Sequence, residues 1–240
     1  MTQDRLQPAF VLHTRPFRDS SLLVDLLSTD LGLVRCVARG ARQGKRRREH
    51  SLQPFSPLLV ELLGRGDLKT LGRHESAGAP NWLKGKCLYA GLYANELMVR
   101  LLPVAETNVQ VFAAYQQLLQ QLVSGEQAME AALRRFEVQL LDSIGFLPPL
   151  TRCNGDTLAI EPQSLYALVP DSGFRLVAGG AESQRYFEYH GKTLLAMAAG
   201  DYSDEGVLQE AKRLVRNLLA PHLGDRPLQS RELFRQVYDR

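Results

Sequence analysis

The chain has 240 residues and 45% apolar content, enough to bury a proper core in one large domain or two to three small ones. Its formal net charge is +3, unevenly spread: residues 1–75 hold 13 Lys/Arg against 8 Asp/Glu, a net of +5, and residues 76–240 hold 16 against 18, a net of −2. A basic N-terminal third points to a phosphate-rich partner there. No apolar run reaches bilayer length, and the N-terminus has no signal-peptide core. Cys36, Cys87 and Cys153 are scattered and odd in number, so no disulfide framework is expected and a reducing cytoplasm is the natural compartment.

Residues 8–15 read as a first strand ended by Pro16, with Arg15 and Arg18 at the turn. Residues 21–28 form a second apolar run, and Thr29 to Gly32 a turn. Residues 33–39 give a third strand. Arg35 and Arg39, four apart, would share one of its faces. Then comes Gly40-Ala-Arg-Gln-Gly-Lys-Arg-Arg-Arg-Glu-His50, in which Arg42, Lys45, Arg46, Arg47 and Arg48 are cationic. Such a run cannot bury itself without losing hydration, so an exposed loop is expected, suited to a polyanion. Residues 58–63 and 68–74 read as the fourth and fifth strands, with Lys69, Leu71 and Arg73 on one face. Five short strands suit a small closed barrel. An OB-fold, which binds single-stranded nucleic acid, and an SH3-like barrel both fit this pattern.

Residues 76–81 look like a linker, after which the pattern is helical. Trp82 to Leu102 is apolar nearly all round, as in a buried helix. Its polar members Asn95 and Glu96 then need internal hydrogen-bond partners. Thr107 with Gln110 reads as a capping box for a helix carrying Val111, Tyr115 and Leu118. A third helix runs from Glu126 to Ile144, closed by Gly145. Tyr166 to Val177 reads as two strands about a Pro-Asp-Ser-Gly turn. A short helix around 192–199, a longer one from Ser203 to Pro221, and a final turn or two from Ser230 complete the chain. Lys212, Arg213 and Arg216 point outward on the longer helix and read as solubilising cations. The fold class is therefore α+β: a five-stranded barrel at 1–79, a mainly helical domain at 80–149 and 182–240, and a small hairpin module at 150–181.

No motif carries a reaction. Phosphate-loop and dinucleotide fingerprints are absent, and the five histidines are scattered. Cys153 lacks a Cys-x-x-Cys partner, which argues against zinc. Asp19, Asp25 and Asp30 fit strand ends and turns better than a metal site. No catalytic residue, metal or cofactor is expected.

Several words of the sequence carry a resemblance: Ala9-Phe-Val-Leu-His13, Val37-Ala-Arg-Gly-Ala-Arg42, Leu52-Gln-Pro-Phe55, Gly91-Leu-Tyr-Ala-Asn-Glu-Leu97, Leu133-Arg-Arg-Phe-Glu137 and Pro227-Leu-Gln-Ser-Arg-Glu-Leu-Phe234. In order along nearly the whole chain, they resemble the RecO family of bacterial DNA repair and recombination mediators. The resemblance implies an N-terminal OB-fold and a protein that binds single- and double-stranded DNA. It implies annealing of complementary strands and, with RecR, help in loading RecA onto DNA coated by single-strand-binding protein. It places the chain in the bacterial cytoplasm at the nucleoid, as a monomer with no membrane. Many members of the family carry a four-cysteine zinc module where residues 153–175 lie. With Cys153 alone, this sequence resembles the zinc-less branch.

On this reading Arg15, Arg18, Arg35, Arg39, Arg42, Lys45, Arg46, Arg47, Arg48, Lys69 and Arg73 form the DNA-binding face, binding phosphates with strong salt dependence. Each arginine alone is as well read as a solvated cation; the group favours function. Phe17, in the turn, is the stacking candidate, whereas Phe10 and Phe55 read as core. The resemblance places Arg134, with Arg135 beside it, as the partner of a carboxylate in the acidic tail of single-strand-binding protein. Two other readings compete: an RNA- or ribosome-associated barrel protein, and a metal-dependent nuclease.

Overall fold

The computed structural model describes residues 6–42, 52–177 and 186–238. Most of the basic loop, including Lys45, Arg46, Arg47 and Arg48, lies outside the described residues; Arg42 lies within them. The chain forms two compact units, Met1–Met129 with Asp225–Arg240, and Glu130–Gly224.

The first unit opens with five strands: β1 (Gln7–Phe17), β2 (Ser21–Ser28), β3 (Gly32–Ala38), β4 (Pro57–Leu63) and β5 (Leu68–Ser76). They close into a barrel in the order β1-β2-β3-β5-β4, antiparallel except for the parallel pair β3–β5. This is the OB-fold arrangement. Ala9, Val11, Leu22, Val24, Leu26, Cys36, Leu58, Val60 and Leu71 fill the interior. Alternation sets the neighbouring residues outside. At one level of that outer side Phe10 meets the rings of Phe112 and Tyr115, each at 5.3 Å.

Two bulges break the alternation. In β1, Val11 pairs with Leu26 but His13 with Asp25, leaving Leu12 as the extra residue. In β5, Leu71 pairs with Leu62 but His74 with Val60, so the extra residue falls at Gly72–Arg73. The Glu61 carboxylate accepts the freed Arg73 backbone N–H at 2.9 Å. Lys69, Leu71 and Arg73 therefore do not share a face as expected: Leu71 is in the core and Arg73, past the bulge, is exposed.

Pro16 does not end β1 either. Beyond Phe10 the strand no longer pairs with β4, and from His13 it pairs with β2 alone. On such an open edge a residue without an N–H is tolerated.

The unit's helices are α1 (Gly85–Leu101), α2 (Val109–Val123), a short 3-10 turn at Glu126–Ala128 and α6 (Gln229–Tyr238). Trp82 precedes α1 and is 70% exposed, so the buried helix is shorter than its apolar run suggested. Cys87, Ala90, Gly91, Ala94, Leu97 and Met98 form its buried stripe. A Cβ on Gly91 would lie 2.6 Å from Leu83 and 2.8 Å from Phe55, so a larger residue would have to displace those side chains. Asn95 and Glu96 find the partners they need. Asn95 donates to the Leu12 carbonyl and accepts from the Tyr115 hydroxyl. Glu96 accepts from the backbone N–H groups of Gln229 and Ser230, capping α6. The cap of α2 is Asn108, whose carboxamide accepts from Val111 N at 2.9 Å. Thr107, expected in that role, donates to the Asp30 carbonyl instead.

The second unit begins with α3 (Met129–Ser143), followed by the short pair β6 (Arg152–Cys153) and β7 (Leu158–Ala159). A three-stranded sheet, β10-β8-β9, joins β8 (Leu165–Val169), β9 (Gly173–Leu176) and β10 (Glu188–His190). The expected turn lies between β8 and β9, with positive φ at Asp171 and Gly173. Helices α4 (Gly191–Ala199) and α5 (Glu205–Leu223) complete the unit. Asp204 caps α5 in place of Ser203, and Pro221 lies inside its last turn. Val207, Ala211, Leu214, Val215 and Leu218 are its buried face. Cys153 is a buried free thiol.

Candidate nucleic-acid interface

The barrel register decides which cations meet. His13, Asp25, Arg35 and Leu68 are successive partners across β1, β2, β3 and β5. The next outer level is Arg15, Leu23, Val37 and Thr70. Because Leu22, Val24 and Cys36 face the core, these two rows lie outside. They continue the outer side past the level where Phe10 meets α2.

Arg15 is exposed on this side. Arg18 is exposed in the β1–β2 turn with φ of 52°, and its guanidinium lies 5.2 Å over the half-buried Phe17 ring. The chain leaving β3 comes to the same turn. Arg42 N donates to the Ser20 carbonyl at 3.0 Å, and its guanidinium donates to the Arg18 carbonyl at 3.4 Å. Arg39 does not continue β3 as expected. It sits in the turn after Ala38 and is exposed. Arg15, Arg18, Arg39 and Arg42 thus gather at one end of the barrel, where the basic loop leaves it. Asp19, also exposed in this turn, is the opposing charge.

Arg35 is differently placed. Its Nε donates to the Asp25 carboxylate at 2.8 Å, and His13 Nδ1 lies 3.8 Å from the other carboxylate oxygen. Asp25 is in mid-strand and 5% exposed, not at a strand end. Burial opposes its charge, but the neighbouring His13 and the hydrogen-bonded Arg35 outweigh it and hold the carboxyl below its ordinary range. Lys69 is half-buried and donates to the Gly64 carbonyl. Arg73 is exposed beyond the β5 bulge, beside Glu61.

Sequence reasoning gave His13 no part in the site and set Asp25 at a strand end or turn. The signal was present: a charged residue in the middle of an apolar strand needs a partner, and Arg35 is the cation opposite in the hairpin register. Phe10 and Phe55 are buried as expected.

In the second unit Arg134 is 7% exposed, a buried residue of α3. It pairs with the buried Glu137 one turn along α3 at 2.8 Å. Arg135 is half-buried, donates to the Gly200 carbonyl at 3.0 Å, and lies 5.6 Å over the Tyr202 ring. Burial pushes the Tyr202 hydroxyl up to about 12, the charges of Arg134 and Glu137 acting in opposite senses.

Among the described residues no helix is long and apolar enough to cross a membrane, and no three His, Cys, Asp or Glu gather as metal ligands.

Residues 1–79 match the family described as Recombination protein O N terminal, and residues 84–232 match Recombination protein O C terminal. The chain is 47% identical to a protein named DNA repair protein RecO from Pseudomonas aeruginosa strain LESB58, over 95% of this chain and 94% of that one. It is 46% identical to the protein of that name from Stutzerimonas stutzeri, covering 95% and 92%. Against that of Coxiella burnetii strain RSA 331 the figures are 43%, 95% and 97%. With an OB-fold barrel, a cationic end and both halves matched, the chain belongs to the RecO family of DNA repair and recombination proteins.

Proposed function

We propose that the protein is a non-enzymatic recombination mediator that binds single- and double-stranded DNA on the outer side of its barrel and anneals complementary strands. The observation that carries this reading is the gathering of Arg15, Arg18, Arg39 and Arg42 where the basic loop leaves the barrel. Guanidinium groups there neutralise phosphates and release counterions without reading bases. A surface that screens two strands together lets them meet and pair, which requires no catalytic residue and no cofactor. Lys45, Arg46, Arg47 and Arg48, which follow Arg42 in sequence, add to the cationic charge in this reading. Phe17, beneath Arg18, offers a ring for stacking.

The partners that go with this role are RecR and single-strand-binding protein, with RecA loaded as the outcome. The setting is the bacterial cytoplasm at the nucleoid, and the protein acts as a monomer. On α3, we assign the tail carboxylate of single-strand-binding protein to Arg135. The charge of Arg134 is already met by Glu137.

The test is annealing of two complementary oligonucleotides coated with single-strand-binding protein. The native chain is compared with a variant carrying alanine at Arg42, Lys45, Arg46, Arg47 and Arg48. Fast annealing by the native chain and slow annealing by the variant are expected. Equal rates would remove the loop from the site. No annealing by the native chain would overturn the reading, and Mg²⁺-dependent cleavage would replace it with a nuclease.

A further inference from the structure

The His13–Asp25–Arg35 cluster lies on the proposed DNA side of the barrel, yet no role in binding has been given to His13. Its components are fixed by the strand register, not by loop conformation. Asp25 is a nearly fully buried carboxylate, and its two partners reach solvent: the side chains of His13 and Arg35 are 57% and 41% exposed. The charged groups that the strand register sets nearest His13 are Asp25 opposite it on β2, Arg35 beyond on β3, and Arg15 two residues along β1. From β4 nothing pairs with β1 at this level. With a neutral imidazole the cluster carries one positive and one negative charge and is neutral overall. With an imidazolium it carries +1, on an outer row one level from Arg15.

We propose that His13 is a phosphate-binding residue of the barrel, and that the His13–Asp25–Arg35 cluster makes DNA affinity step up when the imidazole takes a proton. Asp25 withholds the charge of Arg35 from the nucleic acid, and His13 returns a charge to the surface under acid conditions. Histidine is the side chain whose ordinary titration falls between about pH 5 and 8. One added phosphate contact on a single strand raises affinity roughly fivefold at about 0.1 M salt and steepens the salt slope by about 0.7.

This inference rests on the proposed placement of DNA on the barrel, and the experiment separates the two. Binding of a labelled oligothymidine is followed by fluorescence anisotropy at about pH 6 and pH 8, the span over which histidine titrates. The proteins are the full chain, R15A/R39A, H13Q, D25N and, as a control from the second unit, H222Q. Loss of binding in R15A/R39A at both pH values upholds the placement; unchanged binding there overturns placement and inference together. Given that loss, the native chain should bind roughly fivefold tighter at about pH 6. H222Q should keep this ratio and H13Q should reduce it to near one. D25N, which releases Arg35, should show a salt slope at about pH 8 steeper by about 0.7. A native ratio near one, or a ratio kept by H13Q, overturns the inference while leaving the placement standing. H13Q alters an exposed side chain, so its result stands even where D25N folds poorly.

Discussion

The Asn95 carboxamide donates to the Leu12 carbonyl at 2.9 Å, and Leu12 is the extra residue of the β1 bulge. The bulge thus frees a backbone carbonyl from the barrel ladder, and α1 supplies its donor. The other end of the same carboxamide accepts from Tyr115 of α2 at 2.6 Å. One buried side chain therefore joins the barrel and two helices of its unit, and a buried polar group held at both ends specifies a packing arrangement.

Asn95→Ala should cost about 2–3 kcal/mol, because the Leu12 carbonyl loses its donor in a buried site. Tyr115→Phe, which removes only the hydroxyl, should cost about 1 kcal/mol. Urea denaturation of both single variants and the double variant measures this. The double variant should cost less than the sum of the two, since the residues share a bond. Full additivity would show that the bond carries no coupling.

The neighbouring residue gives a pH dependence. Burial disfavours the Glu96 carboxylate, but hydrogen bonds from Ser230 and Gln229 and the nearby Arg100 outweigh it, holding its carboxyl below the ordinary 4.5. A depressed folded value means that the contribution is complete above the unfolded value and lost as pH falls through the folded one. The attachment of α6 should therefore weaken below about pH 4.5. Amide exchange in α6 should accelerate there before that of the barrel. In E96Q, which has no charge to lose, this part of the pH dependence should disappear.

Gly32 makes a sharp steric prediction. Its φ is +62°, and a Cβ there would sit 1.8 Å from the Glu106 carbonyl oxygen. The β2–β3 turn is held at this point by Ala105 N donating to the Leu33 carbonyl at 2.8 Å. Gly32→Ala should cost at least about 2 kcal/mol, from the left-handed conformation and the displaced backbone together. Gly66→Ala, in open space, should fall within about 0.5 kcal/mol of the native chain. Equal melting temperatures for the two variants would contradict the packing described.

Thiol chemistry should be slow in the native state. Burial pushes the Cys36 thiol up to about 12, with the charge of Asp25 acting in the same sense. Cys87 and Cys153 are raised as well, chiefly by burial. The thiolate is the reactive form, so a chromogenic disulfide reagent at neutral pH should label the folded chain slowly and all three thiols after denaturation.

The sequence made the barrel legible because each strand is an apolar run of strand length closed by a turn. Bulges leave no such trace. One extra residue at Gly72–Arg73 reverses the facing of the residues beyond it, and so the Lys69, Leu71 and Arg73 face dissolved in three dimensions. Helix ends misled for a related reason. Thr107 and Ser203 are competent caps by type, yet Asn108 and Asp204, one residue on, hold the positions from which a side chain reaches the third N–H. Burial of charge was the least legible feature. Asp25 reads as a strand-end or turn residue and Arg134 as the partner of an outside carboxylate, whereas each pairs within the fold, Asp25 with Arg35 across the hairpin and Arg134 with Glu137 one turn along the helix. The cationic end itself was visible from composition, but the contact that draws Arg18 and Arg42 together was not.

Central to the proposed function is the neutralisation of DNA phosphates at the barrel end where Arg15, Arg18, Arg39 and Arg42 gather. The most direct measurement is the salt dependence of oligothymidine affinity for the native chain and for a variant with these four arginines replaced by glutamine. Each lost phosphate contact should flatten the slope of log affinity against log salt by about 0.7, so the four together should reduce it by up to about 3. A variant that binds more weakly with a flatter slope is the predicted result. A variant whose slope and affinity match those of the native chain would contradict the claim and move the DNA to another surface.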